Sequence, residues 1–403
     1  MTHCACAGGP DMVSGSLGRV AEYYTIYSGS SAEGVELIEF FRAAYAGEFN
    51  AAGYRDDKKI IDKWEWANLN NPNRNGFRSM AWICRENNSR RIVGHFGIMP
   101  VSLKYKGSYY PAVWGRDLIV LPQFRKLGIG PFLTSFVLKE ARDEAAIFMI
   151  AGLNDNDQVY RMYNKFGFAD MGHIPLYVRV NRLKPVIRSK INHKILTPLL
   201  SGVGNLAIKL YYGCIRAFGY SRSDNGGICI DEIASFDGSF DRLWEEASAP
   251  FDIIVRRDSA ALNWRFVRQP YWDYKIFKAS RKDRREPAGY IVLREGKSRG
   301  LRTGIISDIF ASADDQEILR SMVRFAVSYF AKNDYIAIIR CDVLSKAIGS
   351  ALVNSGFISI PSGTRFMFTN IRDGLYPAPF KDRNNWFIDY ADSDLDLSGR
   401  PGA

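Results

Sequence analysis

The chain has 403 residues, 47% of them hydrophobic, and a formal net charge of +11. That length holds two domains with cores of their own. The charge does not describe a nucleic-acid surface: eight basic and no acidic residues lie between 181 and 222, and subtracting eight from +11 leaves +3 for the rest. The longest charge-free piece of that segment, Ile195 to Ile208, has fourteen residues, short of the ~20 that span a bilayer.

The six cysteines (Cys4, Cys6, Cys84, Cys214, Cys229, Cys341) show no paired spacing apart from Cys4-Ala-Cys6. With no signal-like apolar segment at the start, this predicts reduced thiols in a cytoplasmic protein. Cys4 and Cys6 form at most half of a metal site, with His3 as the only neighbouring ligand type, so no metal is expected. Residues 1–30 lack sustained periodicity and are expected to be a flexible leader. Val35, Leu37, Ile38, Phe41 and Tyr45 then recur at helical spacing. A second helix is predicted over Asp57 to Asn68, ending before Asn71-Pro72-Asn73. Three strands follow, Ser79 to Arg85, Ile92 to Tyr105 and Tyr109 to Leu121, joined by hairpin-type turns at Asn87-Asn88-Ser89 and Lys106-Gly107-Ser108.

The third strand runs into the most informative stretch of the chain, Asp117 to Leu133. Pro122 stops the apolar run, and a basic turn with two glycines, Arg125-Lys126-Leu127-Gly128-Ile129-Gly130, opens a helix. Gly128 and Gly130 let main-chain N–H groups approach an anion. The unpaired N–H groups and the dipole of the helix start favour a diphosphate there, and Arg125 and Lys126 add charge at the rim. A buried strand over Ala146 to Ala151 and a helix from Asp157 to Lys165, closed by Gly167, come next. Two extended runs then end near Val180. The layout is α+β, with helices around a mixed, mostly antiparallel sheet.

The string Val120-Leu-Pro122-Gln-Phe-Arg125-Lys-Leu-Gly128-Ile-Gly130, leading into a helix, resembles the acetyl-CoA-binding motif of the GNAT acyltransferase superfamily. The resemblance implies that the loop from Arg125 through Lys126, Leu127, Gly128 and Ile129 to Gly130 holds the CoA pyrophosphate. It also implies that the backbone of Ile119, Val120 and Leu121 binds pantetheine like an added strand and polarises the thioester carbonyl. The family's Asn…Tyr…Gly-Phe pattern is matched by Asn156, Tyr163, Gly167 and Phe168, with Val159 where Ala is usual. This implies a CoA contact at Asn156 and a proton donor to the departing thiolate at Tyr163, with Tyr160 as the substitute. The base that takes the amine proton is open: Asp117 is the nearest carboxylate, His95 on the next strand is the alternative, and water needs neither.

Beyond Val180, the apolar stripe and basic face of residues 181–226 read as an inter-domain connector in preference to an interfacial helix pair on anionic lipid. From Gly227 the pattern repeats. Trp66 precedes Pro72 by the same spacing as Trp264 precedes Pro270, and each is followed by a meander, a helix, a buried strand and a helix ending in Gly-Phe. In the second unit the strands are Tyr274 to Lys278, Gly289 to Arg294, Thr303 to Phe310 and Tyr335 to Arg340. Trp66 to Phe168 spans 102 positions and Trp264 to Phe357 spans 93. The missing piece is the glycine turn, which is replaced by Ala311-Ser-Ala-Asp-Asp-Gln316, an acidic sequence that repels a diphosphate. Asp308 repeats Asp117 in this unit, which argues that both carboxylates are structural. Residues 384–396 carry alternating carboxylates without the Gly and Glu of a calcium loop, so an acidic tail docking loosely through Trp386 and Phe387 is expected.

The expected organisation is a leader (1–30), a first GNAT-like unit with the CoA loop (31–180), a basic connector (181–226), a degenerate second unit (227–372) and an acidic tail (373–403). The expected function is transfer of an acetyl or other acyl group from acyl-CoA to an amine of a small molecule, amino sugar or peptide, through a ternary complex. Competing readings are a Fem-like aminoacyl transferase of cell-wall or surface-polymer synthesis and a non-catalytic acyl-CoA sensor that contacts an anionic membrane through 181–222. Nucleic acid is not expected as a partner.

Overall fold

The computed structural model describes residues 11–29, 33–45, 56–153, 158–190, 227–298, 300–371 and 378–398. Most of the connector therefore lies outside the described residues, as do Asn156, Cys4, Cys6 and Cys214. Among the described residues one continuous mixed sheet of sixteen strands runs through the whole molecule, flanked by helices.

The chain opens with helix α1 (Asp11–Tyr23) and edge strand β1 (Tyr24–Ser28), which pairs antiparallel with β2 (Ala81–Glu86). The expectation of a leader through residue 30 is thus corrected. Tyr24-Thr25-Ile26-Tyr27 is a run of aromatic and β-branched residues that fits an edge strand, too short to read by periodicity alone. Helices α2 (Gly34–Tyr45) and α3 (Asp57–Asn68) pack on one face of the meander β2–β3–β4, where β3 is Ile92–Tyr105 and β4 is Ser108–Val120. Leu37, Phe40, Phe41, Ile60 and Trp64 meet Ile83, Ile92, Ile119 and Leu121 there. Helix α4 (Ile129–Ala141) covers the other face, with Leu133 and Val137 against Val93, Phe96 and Phe148. Strand β5 (Ile147–Leu153) lies parallel to β4, followed by α5 (Gln158–Lys165), β6 (Ala169–His173), β7 (Leu176–Val180) and α6 (Leu183–Lys190).

The second half repeats this order. Edge strand β8 (Ile228–Ile233) precedes α7 (Ser239–Ala247), β9 (Ile253–Val255) and a meander of β10 (Lys275–Arg281), β11 (Pro287–Ser298) and β12 (Leu301–Ala311). Helix α8 (Gln316–Ala331) leads to β13 (Ile338–Leu344), which is parallel to β12, and α9 (Lys346–Asn354) to β14 (Ile358–Ile360) and β15 (Arg365–Asn370). Even an irregularity recurs. The β3–β4 ladder carries a bulge beside Asp117, and the β11–β12 ladder carries one beside Asp308.

Among the described residues β3 pairs directly with β9, joining the halves, and three further contacts between them were not read from the sequence. Trp66 and Trp264 stack at 4.4 Å between ring centroids and 6° between planes, each indole Nε1–H donating to the other's carbonyl (2.9 and 3.1 Å). The repeat seen in the sequence is thus a reciprocal pair at the junction. Secondly, the halves exchange strands. Strand β7, expected to close the first unit, pairs with β13 and β14 of the second, and β15 pairs with β5 and β6 of the first. A strand pattern reports burial but not which edge the strand will join, so the exchange was invisible to periodicity. Thirdly, the acidic tail is not loosely docked. Strand β16 (Trp386–Asp389) sits between β9 and β13, and a short helix α10 (Leu395–Ser398) ends the described chain. Its carboxylates are buried: Asp389 and Asp392 meet Arg257 at 3.1 and 2.8 Å, and Asp396 meets Arg294 at 2.6 Å. No described helix is long and apolar enough to cross a membrane.

Candidate active site

The site is built where β4 and β5 part. They are paired in parallel at Ala112, Val113 and Trp114, opposite Ile147, Phe148 and Met149. Beyond that both strands continue, β4 to Val120 and β5 to Leu153, with no pairing between them. The outer edge of β5 is held along its length by the exchanged strand β15, so the gap lies on its inner edge, facing β4.

Of the backbone assigned to pantetheine, Ile119 belongs to the ladder with His95, and the Leu121 N–H donates to Val93 O at 3.0 Å. Because backbone groups alternate in direction along a strand, it is Val120 that turns its N–H and C=O into the gap. The Val120 carbonyl accepts from Arg125 Nε at 3.1 Å, which folds this rim cation back over the strand end. Residues Pro122–Phe124 form one 3-10 turn, and the chain then passes through left-handed conformations at Lys126 (φ 69°) and Gly128 (φ 85°) before α4 begins. Gly128 is the N-cap and offers no side chain to the helix end. The first-turn N–H groups of α4 therefore have neither an intrahelical acceptor nor a capping one, and Pro131 removes one donor from the set. A Cβ on Gly128 would sit 3.0 Å from Val20 Cγ2 of α1, so this position excludes side chains by both dihedral and space. Arg125, Lys126 and Leu127 are exposed at the rim.

The bulge of β4 lies between its last pairing with β5 and Val120. Asp117 adopts φ 50°, in the left-handed region, and this brings its carboxylate onto the same side as the preceding Arg116, whose Nη1 donates at 2.8 Å. Neighbouring strand residues normally point to opposite faces, so a reading by alternation misses this pair. The Tyr45 hydroxyl donates to the other carboxylate oxygen at 3.1 Å. Arg116 in turn reaches Asn68 Oδ1 at 2.9 Å. Both carboxylate oxygens of Asp117, the candidate base, are thus engaged, one by a guanidinium and one by a phenol. His95 is no better placed. It is fully buried between Phe40 and Phe41, its Nδ1 lies 3.0 Å from the Asp117 carbonyl, and burial pushes its pKa down to about 4. It is a neutral brace for the bulge.

Tyr163 lies in the core between α4 and α5, 1% exposed, against Phe168 at 4.8 Å between rings, with its hydroxyl at Thr134 of α4. Burial holds its pKa far above the usual phenol value, so it is protonated throughout the physiological range. Tyr160 is committed elsewhere: its hydroxyl donates to Asp170 at 2.9 Å, and the Arg365 guanidinium lies over its ring. The second half contributes Tyr271, which stands edge-on to Trp66 with Lys63 4.6 Å above its ring. Burial raises the Tyr271 pKa, and the Asp117 charge adds to the rise. Burial lowers the pKa of Lys63, with Asp117 opposing the shift. Among the described residues no cluster of His, Cys, Asp or Glu suits a metal ion.

Sequence comparison finds no match among curated proteins. In structure the chain is similar to a GCN5-related N-acetyltransferase from Anabaena variabilis (TM-score 0.56, 13% identity, 86% of this chain and 73% of that one). It is similar, too, to Saccharomyces cerevisiae N-myristoyltransferase with bound myristoyl-CoA (TM-score 0.54, 13% identity, 88% and 86%). At these identities the likeness is one of fold. The family model described as Acetyltransferase (GNAT) family matches residues 36–168, from helix α2 through the gap and the glycine turn to Phe168. Residues 36–168 of this chain, which hold both the gap and the glycine turn, thus match the acetyltransferase (GNAT) family model.

Proposed function

We propose that this chain is an acyl-CoA-dependent N-acyltransferase whose reaction takes place in the gap between β4 and β5. The observation that carries the reading is the conjunction of an uncapped helix N-terminus at Gly128 with an unpaired strand edge at Val120. A diphosphate fits the first and an amide-bearing pantetheine arm the second. The turn Arg125–Gly130 holds the pyrophosphate, with Arg125 swinging from the Val120 carbonyl to the phosphates, and Val120 carries the added-strand hydrogen bonds. Asn156, two residues before α5 in sequence, is the CoA contact that the family pattern implies. The bound myristoyl-CoA of the yeast structural neighbour supports an acyl-CoA co-substrate and leaves acetyl as one candidate among acyl groups.

In the reaction an acceptor amine attacks the thioester carbonyl carbon, the C–S bond breaks, and CoA leaves as the thiolate. Tyr163 is assigned as the proton donor to that thiolate on its place in the family pattern alone, since its burial raises its pKa and weakens it as an acid. The amine loses its proton to water, since neither Asp117 nor His95 is available to take it. Asp117, braced by Arg116, Tyr45 and His95, shapes the bulge that aims backbone donors at the thioester. The units 31–180 and 227–372 act together, the second placing Tyr271 over the acceptor side. An amine of a small molecule, amino sugar or peptide remains the acceptor class, with acidic membrane lipid a peripheral contact for 181–222. The intact turn disfavours a Fem-like aminoacyl transferase.

The test is a thermal-shift titration with acetyl-CoA and myristoyl-CoA on the wild type and on Gly128→Glu, coupled to thiol release across an amine library. Stabilisation of the wild type by several degrees and its loss in the variant are expected. Absence of any shift in the wild type sinks the reading, and binding without turnover favours the sensor.

A further inference from the structure

The C-terminal segment does more than tie the halves together. It leaves the second half at Asp389, and its next residues are pinned in turn: Asp392 by Arg257, the Ser393 carbonyl by Arg265 and Asp396 by Arg294. This carries Leu395 across to β5. Leu395 is 6% exposed and packs with Ile305, Tyr390 and Ala151. Its Cδ2 is 2.5 Å from the point where a Cβ on Gly152 would stand. Gly152 has φ 87°, so the position is one where only glycine leaves room for the leucine.

The contact falls beyond the last pairing of the two strands. Trp114 faces Met149, and Gly152 lies three residues further along β5, as Asp117 does along β4. Leu395 therefore meets β5 in the stretch that borders the gap. Asp394, beside it, is close enough for its charge to raise the pKa of both Tyr163 and Tyr271 behind the larger effect of burial.

We propose that Leu395 forms a wall of the reaction chamber and sets the length of acyl chain the chamber accepts. This rests on the reading of the gap as the acyl-CoA site. An acyl chain extending past the bulge runs into the leucine side chain, and shortening that side chain opens space against Ala151 and Gly152. Short acyl groups do not reach the leucine and are indifferent to it.

The test is a series of CoA thioesters from acetyl to octanoyl, titrated against the wild type, Leu395→Ala and the milder Leu395→Val, with affinity read by thermal shift and calorimetry. Wild type is expected to bind acetyl-CoA best, with affinity falling as the chain lengthens. In Leu395→Ala, hexanoyl- and octanoyl-CoA are expected to gain about tenfold or more relative to acetyl-CoA. Leu395→Val should lie between them, and a cooperative melting transition without ligand reports an intact fold in each variant. Identical chain-length profiles in all three proteins overturn the proposal while leaving the acyl-CoA site standing. Failure of every thioester to bind the wild type overturns the parent reading instead.

Discussion

Helices α4 and α8 begin at matching points of the repeat, each after a bulged strand, and their first turns are opposites. The N-cap of α4 is Gly128, with nothing to offer the helix and two exposed cations next to it. The N-cap of α8 is Asp315, whose carboxylate accepts from the Ile318 N–H, and Arg281 pairs with both Asp315 (2.8 Å) and Glu317 (3.1 Å). One helix end is vacant for an anion and the other carries its own. The strand edges differ in the same sense. Where β12 leaves β13 after Cys341, β16 takes up β13 at Val343 and Leu344. The Val343 N–H is directed to Pro175 on the β7 side, so β16 pairs along the edge that β12 vacated. In the second half the chain's own C-terminal strand thus fills the gap that stays open between β4 and β5. A shared scaffold does not confer a shared site. Here the outcome turns on which groups occupy one helix end and one strand edge.

The largest expected effect comes from emptying the filled gap. Arg257 is buried with three carboxylates around it: Asp392 at 2.8 Å, Asp389 at 3.1 Å and Asp308 at 3.5 Å. Burial, reinforced by Asp308 and Asp392, raises the Asp389 pKa well above its ordinary value. Replacing Arg257 by Met leaves buried carboxylates without their cation, a change that costs about 3–5 kcal/mol. Urea unfolding of Arg257→Met should show it, together with faster proteolysis of the C-terminal segment. Stability within 1 kcal/mol of wild type would mean that β16 is held by strand pairing and not by the ion cluster.

The second effect separates the two bulges. The first-half bulge is braced by neutral His95, and in the second half the Tyr290 hydroxyl donates to Asp308 at 3.0 Å. His95 has a folded pKa of about 4 against 6.5 when unfolded. The unfolded chain therefore binds the proton first, and stability from this group is complete above pH 6.5 and lost as the pH falls toward 4. Between pH 7 and 4.5 the loss is about 2–3 kcal/mol. Urea unfolding at those two pH values, in wild type and His95→Gln, should give a smaller drop for the variant. Equal drops would assign the acid sensitivity to carboxylates alone.

Local order was legible in the sequence because it is local. The helix over Asp57–Asn68 and the strand over Ile92–Tyr105 stand where periodicity placed them, and the glycine turn sits between strand and helix as its residues demand. The Trp66–Trp264 repeat was visible, but its meaning was not, since reciprocal hydrogen bonding needs the two halves face to face. The tail misled for a related reason. Alternating carboxylates read as a solvated face until their partners are known, and those partners lie 135 residues away for Asp392 and 102 for Asp396. The Arg116–Asp117 pair was hidden by the bulge, which sequence alternation cannot register.

The smallest effect is the sharpest check on the comparison. Asp315→Ala removes a capping carboxylate and one partner of Arg281, and loss of an N-cap costs about 1 kcal/mol. If α8 is closed to anions only by its own cap, the variant, with Arg281 freed beside it, should gain a weak CoA response. If β16 in the gap excludes the pantetheine arm independently, the melting temperature should fall by a few degrees and the CoA titration should match wild type. We expect the second outcome, because a free helix end supplies only the diphosphate half of the site. Calorimetry with CoA on Asp315→Ala in the Gly128→Glu background isolates the second half: a binding isotherm there would show that the helix cap, and not the filled strand edge, is what silenced it.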